Sequence, residues 1–268
     1  MTQRMTRETT MKASQVGVSD RTPGKHKALN KLLGKVAGTA STPRFRRTFG
    51  RRPFHIIDCT AGDGQASDFS EHTSPGIIGK HSAWMESQGM DVSVYLFERS
   101  EQNCALLKAK SSHPIYNMDA ADMGKVWKDE DILFVVNDPN TVADWRMPEA
   151  LNQAPKLTTV FSTLGCNVGG LKRLPRSERD VWFEQMEGQI KLLHHWHDAI
   201  LVTLDRDSSQ WAYLVNAPKE WRKDVTSMFE SAFKGSKYPL KHAWLKDNPK
   251  GFAALRDYLF LTEKERNA

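Results

Sequence analysis

Short apolar runs, bounded by glycine or polar residues, recur along the chain from residue 54. The first five runs are Phe54–Cys59, Val92–Phe97, His113–Asn117, Ile132–Val136 and Thr158–Phe161. Segments with helical spacing of apolar residues lie between them, including one to Gln88 and one at Glu101–Lys110. This alternation predicts an α/β fold with a doubly wound, mostly parallel sheet. The order of the strands does not follow from their spacing.

The same alternation continues in the second half of the chain. The predicted elements are helix Ser177–His195, strands Ala199–Leu204 and Trp211–Val215, helix Trp221–Phe233, and a closing strand pair at His242–Leu245 and Tyr258–Thr262. There is no internal repeat and no sign of a second core. Residues 54–268 are therefore predicted to form one domain.

The chain before residue 54 has a different composition. Residues 1–24 are rich in Thr, Ser, Lys and Arg, which predicts a disordered basic tail. Residues 25–53 are predicted to form a short helix at His26–Val36 and a basic connector at Gly38–Pro53. The helical pattern consists of Leu29, Leu32, Leu33 and Val36, with Lys27, Lys31 and Lys35 on the other side.

The net charge of +6 is unevenly distributed along the chain. Residues 1–52 hold 13 basic and 2 acidic residues, a balance of +11, so the rest of the chain has a balance of −5. Such an arm either binds the phosphates of nucleic acid or is a solvated tail. No apolar stretch is long enough to span a membrane, and the three cysteines are scattered. We therefore expect a cytoplasmic protein without membrane contact and without a metal site.

A glycine turn follows the first predicted strand. Gly62 and Gly64 come shortly after Asp58, and Ala61 precedes the first glycine. In doubly wound sheets, ligands bind beyond the carboxyl ends of the strands, where glycine lets the backbone approach them closely. We expect these four residues to contact a cofactor. A tight turn without a ligand would have the same pattern.

Acidic residues follow the next two predicted strands. Glu98 ends the second, where a carboxylate can accept ribose hydroxyls, and Asp119 follows the third, where it can meet an adenine amino group. A dinucleotide is disfavoured, because Ser67 replaces the third glycine of its fingerprint and Glu98 lies 34 residues after Gly64, beyond the roughly 20 expected. S-adenosylmethionine has no pyrophosphate and needs no third glycine. It is the cofactor that this series predicts.

The fourth predicted strand ends in Asn137, Asp138 and Pro139. This segment resembles the Asp/Asn-Pro-Pro-aromatic motif of amino-methyltransferases that act on adenine N6 or cytosine N4. The resemblance implies that a side-chain oxygen and a backbone carbonyl accept the hydrogens of the exocyclic amine and favour its reactive form. Asn140 and Thr141 replace the second proline and the aromatic residue. Asp138 could equally be a general base towards another acceptor, or only shape the cofactor pocket.

Residues 25 to about 145 resemble the three-Cys-motif partner proteins, a group within the class I (Rossmann-like) S-adenosylmethionine-dependent methyltransferase superfamily. The matching features are a Lys-containing helix before the first strand, Asp-Cys-Thr-Ala-Gly-Asp-Gly at 58–64, Ser-Pro-Gly-Ile-Ile-Gly at 74–79, Phe-Glu-Arg-Ser at 97–100, Met-Asp at 118–119 and Asn-Asp-Pro at 137–139. The resemblance implies a class I methyltransferase-like fold and S-adenosylmethionine binding. It leaves the acceptor open.

A glycine-rich basic segment at 163–173 follows the fifth predicted strand. Our hypothesis is that Lys172 and Arg173 bind the acceptor there, through its phosphates. The alternative is a glycine turn before a helix whose basic residues are solvated.

Three functions are compatible with the sequence. The first is a methyltransferase acting on nucleic acid, with adenine or cytosine amino groups of DNA favoured over RNA. The second is a cofactor-binding, non-catalytic or regulatory subunit of a phage, mobile-element or defence complex, which implies a protein partner and is favoured by the missing aromatic residue. The third is a small-molecule methyltransferase, which suits the acidic body but gives the basic arm no role.

Overall fold

The computed structural model describes residues 22–66, 68–138, 154–155, 157–164, 175, 177–178, 180–181, 198–204, 211–217, 223, 226–227, 230 and 240–244. The helices are α1 (Thr22–Ser41), α2 (Pro43–Phe49), α3 (Phe69–His72), α4 (Ser74–Ser87) and α5 (Glu101–Lys108), with a 3-10 helix at Ala120–Asp122. The strands are β1 (Phe54–Asp58), β2 (Val92–Phe97), β3 (Ile115–Tyr116), β4 (Ile132–Asn137), β5 (Leu157–Leu164), β6 (Asp198–Leu204), β7 (Trp211–Ala217) and β8 (Leu240–Trp244). None of the helices described here combines the length and apolar character needed to cross a membrane.

The described strands form one sheet in the order β3-β2-β1-β4-β5-β7-β6-β8. Strands β1 to β5 run parallel to one another. Strand β7 runs antiparallel to both β5 and β6, so β6 has the direction of the first five. Strand β8 is antiparallel to β6. The predicted α/β fold with a doubly wound, mostly parallel sheet is confirmed.

The reversal of β7 has a simple cause. Only residues 205–210 separate β6 from β7, and the two strands are neighbours in the sheet. A parallel connection requires a crossover of a dozen or more residues, so neighbouring strands joined over this distance pair antiparallel.

Strands β1 and β4 lie inside the sheet and are buried along their whole length. Uninterrupted apolar runs are typical of parallel strands covered on both faces. Parallel pairing places Asp58 opposite Leu96 of β2 and opposite Val136 of β4. The carboxyl ends of these three strands therefore meet at one edge of the sheet.

Helix α1 is longer than the predicted helix and extends it at both ends. Leu32 and Leu33 are fully buried in the same apolar cluster as Phe54 of β1 and Ile77 of α4. Full burial of one leucine side chain stabilises a fold by about 1.5–3 kcal/mol. Helix α1 is thus part of the core that supports the edge of the sheet.

The segment predicted as a basic connector, Gly38–Pro53, is largely helical, because it contains the end of α1 and all of α2. Thr42 caps α2 by accepting a hydrogen bond from the N–H of Phe45, and Pro43 lies in its first turn. Gly50 follows the last helical residue. Phe45 is buried in the core, which anchors the helix.

Other predicted elements agree with the structure within a few residues where it describes them. Strand β3 is shorter than the predicted His113–Asn117, and α3 occupies part of the predicted polar loop before α4. The last three residues of the predicted disordered tail, 22–24, belong to α1. Residues 1–21, most of both predicted helices after residue 176, and the predicted strand at Tyr258–Thr262 lie outside the described residues.

Candidate functional site

Three neighbouring strands bring predicted site residues to one edge of the sheet. Strand β1 ends at Asp58 and β4 at Asn137, and Glu98 follows the last residue of β2. Because β1 pairs with both β2 and β4, these positions lie side by side at the carboxyl ends of the strands. Ligands bind at this edge in doubly wound sheets.

The turn after β1 contains two glycines with left-handed backbone angles. The φ angle is 69° at Gly62 and 65° at Gly64, a region that L side chains rarely adopt. The buried Ala61 donates its N–H to the carbonyl of Phe97 over 2.9 Å, which ties the turn to β2. A Cβ on Gly64 would lie 2.9 Å from Cδ1 of Leu107, whereas one on Gly62 would meet open space. At Gly64 a larger residue would strain the backbone and crowd Leu107, whereas the space beside Gly62 can admit a ligand.

Glu98 holds the turn in place. The N–H of Gly62 donates to Oε2 of Glu98 over 3.0 Å, and the N–H of Ser100 donates to Oε1 over 2.8 Å. A carboxylate has about four acceptor positions, so these two bonds leave acceptor capacity on both oxygens. Glu98 can therefore order the turn and accept ligand hydroxyls at the same time.

Asp119 lies after β3, the strand beside β2. Its Oδ1 accepts a hydrogen bond from the N–H of Ala121 over 2.9 Å, so it caps the 3-10 helix. The guanidinium of Arg99 is 3.7 Å from its other oxygen. These contacts fix the Asp119 carboxylate at the same edge as Glu98.

Asp58 is fully buried. Its Oδ1 accepts the N–H of Thr60 over 3.1 Å, whereas Oδ2 has no hydrogen-bond partner in the part of the chain that the structure describes. Burial raises the pKa of Asp58 to about 7, and the opposing effects of Ser74 and Thr60 are smaller. Buried polar atoms without a partner are rare in folded proteins. Oδ2 is thus an acceptor without a partner, which a cationic ligand group could use once the residues that cover it move aside.

Thr60 joins the ends of β1 and β4. Its hydroxyl donates to the Asp138 carbonyl over 3.0 Å and accepts the Asp138 N–H over 3.3 Å. The backbone at Asp138 is therefore held beside the glycine turn. Asn137 is buried, whereas the side chain of Asp138 is 17% exposed. Of these two, Asp138 is the residue that an acceptor molecule can reach.

Lys25 of α1 belongs to the site but was not among the predicted residues. Its ammonium pairs with Oδ2 of Asp138, and the Lys25 side chain is only 9% exposed. Lys25 precedes Ala28 and Leu29 by three and four residues, which places it in phase with the buried stripe of α1. A lysine aligned with an apolar stripe was the sequence signal for this role.

His26, the next residue of α1, is also buried. Its Nδ1 has no hydrogen-bond partner among the residues described. Burial lowers the pKa of His26 to about 4, the charge of Lys25 acts in the same direction, and Asp138 opposes it. His26 is therefore neutral at pH 7, and the positive charge beside Asp138 comes from Lys25.

Pro139, Lys172 and Arg173 lie outside the described residues. Their assignment to the acceptor side stays a prediction. The same holds for the basic tail before residue 22.

No family model and no curated protein matches the sequence. Several solved structures are similar to it. One is the plantazolicin methyltransferase BamL in complex with triazolic desmethylPZN analog and SAH, which is 9% identical, with 75% of this chain and 87% of that chain covered and a TM-score of 0.43. Another is a ribosomal protein L11 methylase from Lactobacillus delbrueckii subsp. bulgaricus (9% identity, 68% and 77% covered, TM-score 0.31). A third is a methyltransferase from Pyrococcus furiosus (14% identity, 65% and 80% covered, TM-score 0.30).

The strand order identifies the fold without these similarities. Strands one to seven are arranged 3-2-1-4-5-7-6 with only the seventh reversed, and β8 extends the edge beyond β6. The glycine turn follows β1 at the centre of this arrangement. The chain thus has the class I methyltransferase-like α/β fold.

Proposed function

We propose that this protein is an S-adenosylmethionine-dependent methyltransferase. The observation that carries the proposal is the hydrogen bond between Gly62 and Glu98, which sets a carboxylate with spare acceptor capacity against a glycine turn. A nucleoside cofactor needs such an acceptor for its ribose hydroxyls. A turn without the third glycine of the dinucleotide fingerprint suits a nucleoside that has no pyrophosphate.

The residues around the turn fit the chemical groups of this cofactor. Glu98 would accept the ribose hydroxyls, Asp119 would accept hydrogens of the adenine amino group, and Oδ2 of Asp58 would accept the ammonium group. The open space beside Gly62 would let the cofactor lie against the backbone. When bound, the cofactor supplies an electrophilic methyl group on a positively charged sulfur.

We infer further that the acceptor is an exocyclic amino group of adenine or cytosine, in DNA rather than RNA. Asp138 would accept a hydrogen bond from this amine. The bond would reduce the delocalisation of the nitrogen lone pair into the ring, so that the lone pair points towards the methyl group. The amine nitrogen would take the methyl group that the cofactor supplies, and the electron pair of the broken carbon–sulfur bond would stay on sulfur. The surplus amine proton leaves to the Asp138 carboxylate or to water. The residues of the chain act by positioning and by accepting a proton.

The charge of α1 and α2 supports a nucleic-acid acceptor. Residues 22–52 contain nine basic side chains and no acidic one. Lys27, Lys31 and Lys35 follow at intervals of about 6 Å along α1, on the side away from its buried stripe. Lys25, on the buried face near the start of α1, pairs with Asp138, so this end of the helix lies at the candidate site. The row begins near the same end, on the opposite face, and a phosphate backbone bound along it would pass close to the site.

Transfer of a labelled methyl group tests this function. The full chain is offered labelled S-adenosylmethionine with duplex DNA, single-stranded DNA, RNA or small amines, while calorimetry measures cofactor binding. We expect transfer to a DNA amino group and its loss in Asp138→Ala, with no loss in Asp129→Ala, an exposed carboxylate elsewhere. Cofactor binding without methyl transfer to any acceptor would favour the regulatory-subunit alternative. That alternative is also supported by Asn140 and Thr141, which replace the second proline and the aromatic residue of the amino-methyltransferase motif. Absence of cofactor binding would refute the proposal.

A further inference from the structure

The pair between Lys25 and Asp138 joins two parts of the chain that are 113 residues apart. Both side chains are largely shielded from water, at 9% and 17% exposure. Moving an ammonium and a carboxylate out of water costs several kcal/mol per ion, and their attraction compensates for this only in good geometry. A buried pair of this kind requires a reason beyond stability.

Anchoring of α1 is not that reason. The apolar face of the helix already packs into the core, with Leu29, Leu32, Leu33 and Val36 at most 2% exposed. An apolar side chain of similar volume at position 25 would extend this stripe without the desolvation cost of a charge. The charge of Lys25 is therefore explained by what it contacts.

The surroundings of Asp138 show what a positive charge does there. Asp58 of β1 is close enough for its charge to interact with that of Asp138, and the repulsion between the two carboxylates raises the pKa of Asp58. Within the described ranges, the other titratable groups near the cluster are His26 on α1, which is neutral at pH 7, and His72 at the end of α3. Lys25 is the cation that offsets this repulsion.

We propose that Lys25 is a positioning residue, whose ammonium holds the Asp138 carboxylate in one orientation at the point where the acceptor amine arrives. This inference rests on the proposed methyltransferase function. Lys25 itself does not touch the reacting atoms. It acts through Asp138, so its loss affects the chemical step and not the binding of the cofactor.

Three variants test this role: Lys25→Met, Lys25→Arg and, as a matched surface control, Lys125→Met, whose ion pair with Asp129 is exposed. For Lys25→Met we expect kcat to fall about 10- to 100-fold, as loss of a charge-assisted hydrogen bond implies. The acceptor KM and the cofactor Kd should change less than about twofold, because neither binding contact is removed. Lys25→Arg should recover most of the rate, and Lys125→Met should match the wild type.

Different results would contradict the proposed function and the role of Lys25. If the wild type transfers no methyl group, the proposed function is overturned, and the role of Lys25 with it. If the wild type transfers methyl groups and Lys25→Met has the same kcat, only the role of Lys25 is overturned. If Lys25→Met does not fold by circular dichroism, Lys25→Gln replaces it, and wild-type kcat in folded Lys25→Gln also overturns the role.

Discussion

The N–H of Gly62 and Oε2 of Glu98 are joined by a hydrogen bond of 3.0 Å, which connects the turn after β1 to the end of β2. The other oxygen of Glu98 accepts the N–H of Ser100, the residue that caps α5. One carboxylate thus orders the two backbone segments that border the proposed cofactor site. Its removal should affect both the stability of the fold and the affinity for the ligand.

For Glu98→Ala we expect the cofactor Kd, measured by calorimetry, to rise at least about tenfold, because each lost hydrogen bond to a charged group is worth about 1.5–3 kcal/mol. The free energy of unfolding should fall by about 1–3 kcal/mol in urea titrations, since two N–H groups lose their acceptor. Glu86→Ala, an exposed change on α4, is the control and should alter neither quantity. A cofactor Kd within about twofold of wild type in Glu98→Ala would remove Glu98 from the site.

Gly62, Gly64 and Gly89 have nearly equal φ angles, so their alanine variants distinguish the effects of backbone strain, side-chain packing and ligand contact. Alanine at Gly89 (φ 70°) meets no neighbour within 4 Å and lies outside the site, so it measures strain alone, about 1–2 kcal/mol. Gly62→Ala should destabilise the fold by a similar amount but weaken cofactor binding, because its Cβ enters the open space. Gly64→Ala should destabilise it more, because its Cβ also meets Leu107 at 2.9 Å and Phe69 at 3.0 Å.

Urea titrations and calorimetry on these three variants measure the two effects separately. If Gly62→Ala binds the cofactor as tightly as Gly89→Ala does, the space beside Gly62 is not the binding space. If Gly64→Ala is no less stable than Gly89→Ala, Leu107 and Phe69 move aside at negligible cost.

The sequence predicted the elements better than their boundaries and their order. The uninterrupted apolar run of β4 identified a fully buried strand because its alternatives, a half-buried strand or a surface helix, would have shown polar residues at period 2 or 3.6. Helix α2 was missed because its arginines suggested a solvated connector. The sequence does contain a helix start signal, Thr42 followed by Pro43. This signal predicts a helix better than the charge of the following side chains predicts a loop.

The sequence predicted that acidic residues meet at one edge of the sheet, but not that Lys25 joins them. Asp58, Glu98 and Asp138 each follow an apolar run, so their meeting at one edge follows from parallel strands. The contact between Lys25 and Asp138 depends on how α1 docks against the sheet, and no local pattern specifies that docking across 113 residues. The lack of a partner for Oδ2 of Asp58 likewise depends on the packing of several elements.

The stability of the protein should depend on the ionisation of Asp58. Its pKa is raised from 3.8 to about 7 by burial, so the folded state binds a proton more tightly than the unfolded state. The resulting stabilisation is complete below about pH 4 and is lost as the pH rises to about 7, a change of roughly 4 kcal/mol at 1.36 kcal/mol per unit of pKa. Asp58→Asn removes this dependence. The stability difference between Asp58→Asn and wild type, from urea titrations between pH 4 and 8, should shift in favour of the variant as pH rises. A constant difference would contradict the raised pKa.

His26 should give the opposite dependence in an overlapping range. Its pKa is lowered from 6.5 to about 4, so the unfolded state binds a proton more tightly than the folded state. This contribution to stability is present above pH 6.5 and is lost as the pH falls to about 4, about 3 kcal/mol in all. We expect His26→Leu to be less sensitive to acid than wild type in urea titrations at pH 4, 5, 6 and 7. Equal acid sensitivity of the two proteins would mean that His26 accepts a proton in the folded state.

The lysine row of α1 should control the salt dependence of DNA binding if α1 contacts a phosphate backbone. The triple variant Lys27→Gln, Lys31→Gln, Lys35→Gln removes three cations, and each phosphate contact contributes about 1 to the slope of log affinity against log salt. We therefore expect this slope to become shallower by about 3 for duplex DNA, measured by fluorescence anisotropy between 50 and 200 mM salt, about the range that resolves such contacts. The control is Lys125→Gln with Lys128→Gln, two lysines that precede the amino end of β4 and so lie at the opposite edge from the site. Equal slopes in the triple variant and the wild type would exclude α1 from the nucleic-acid interface.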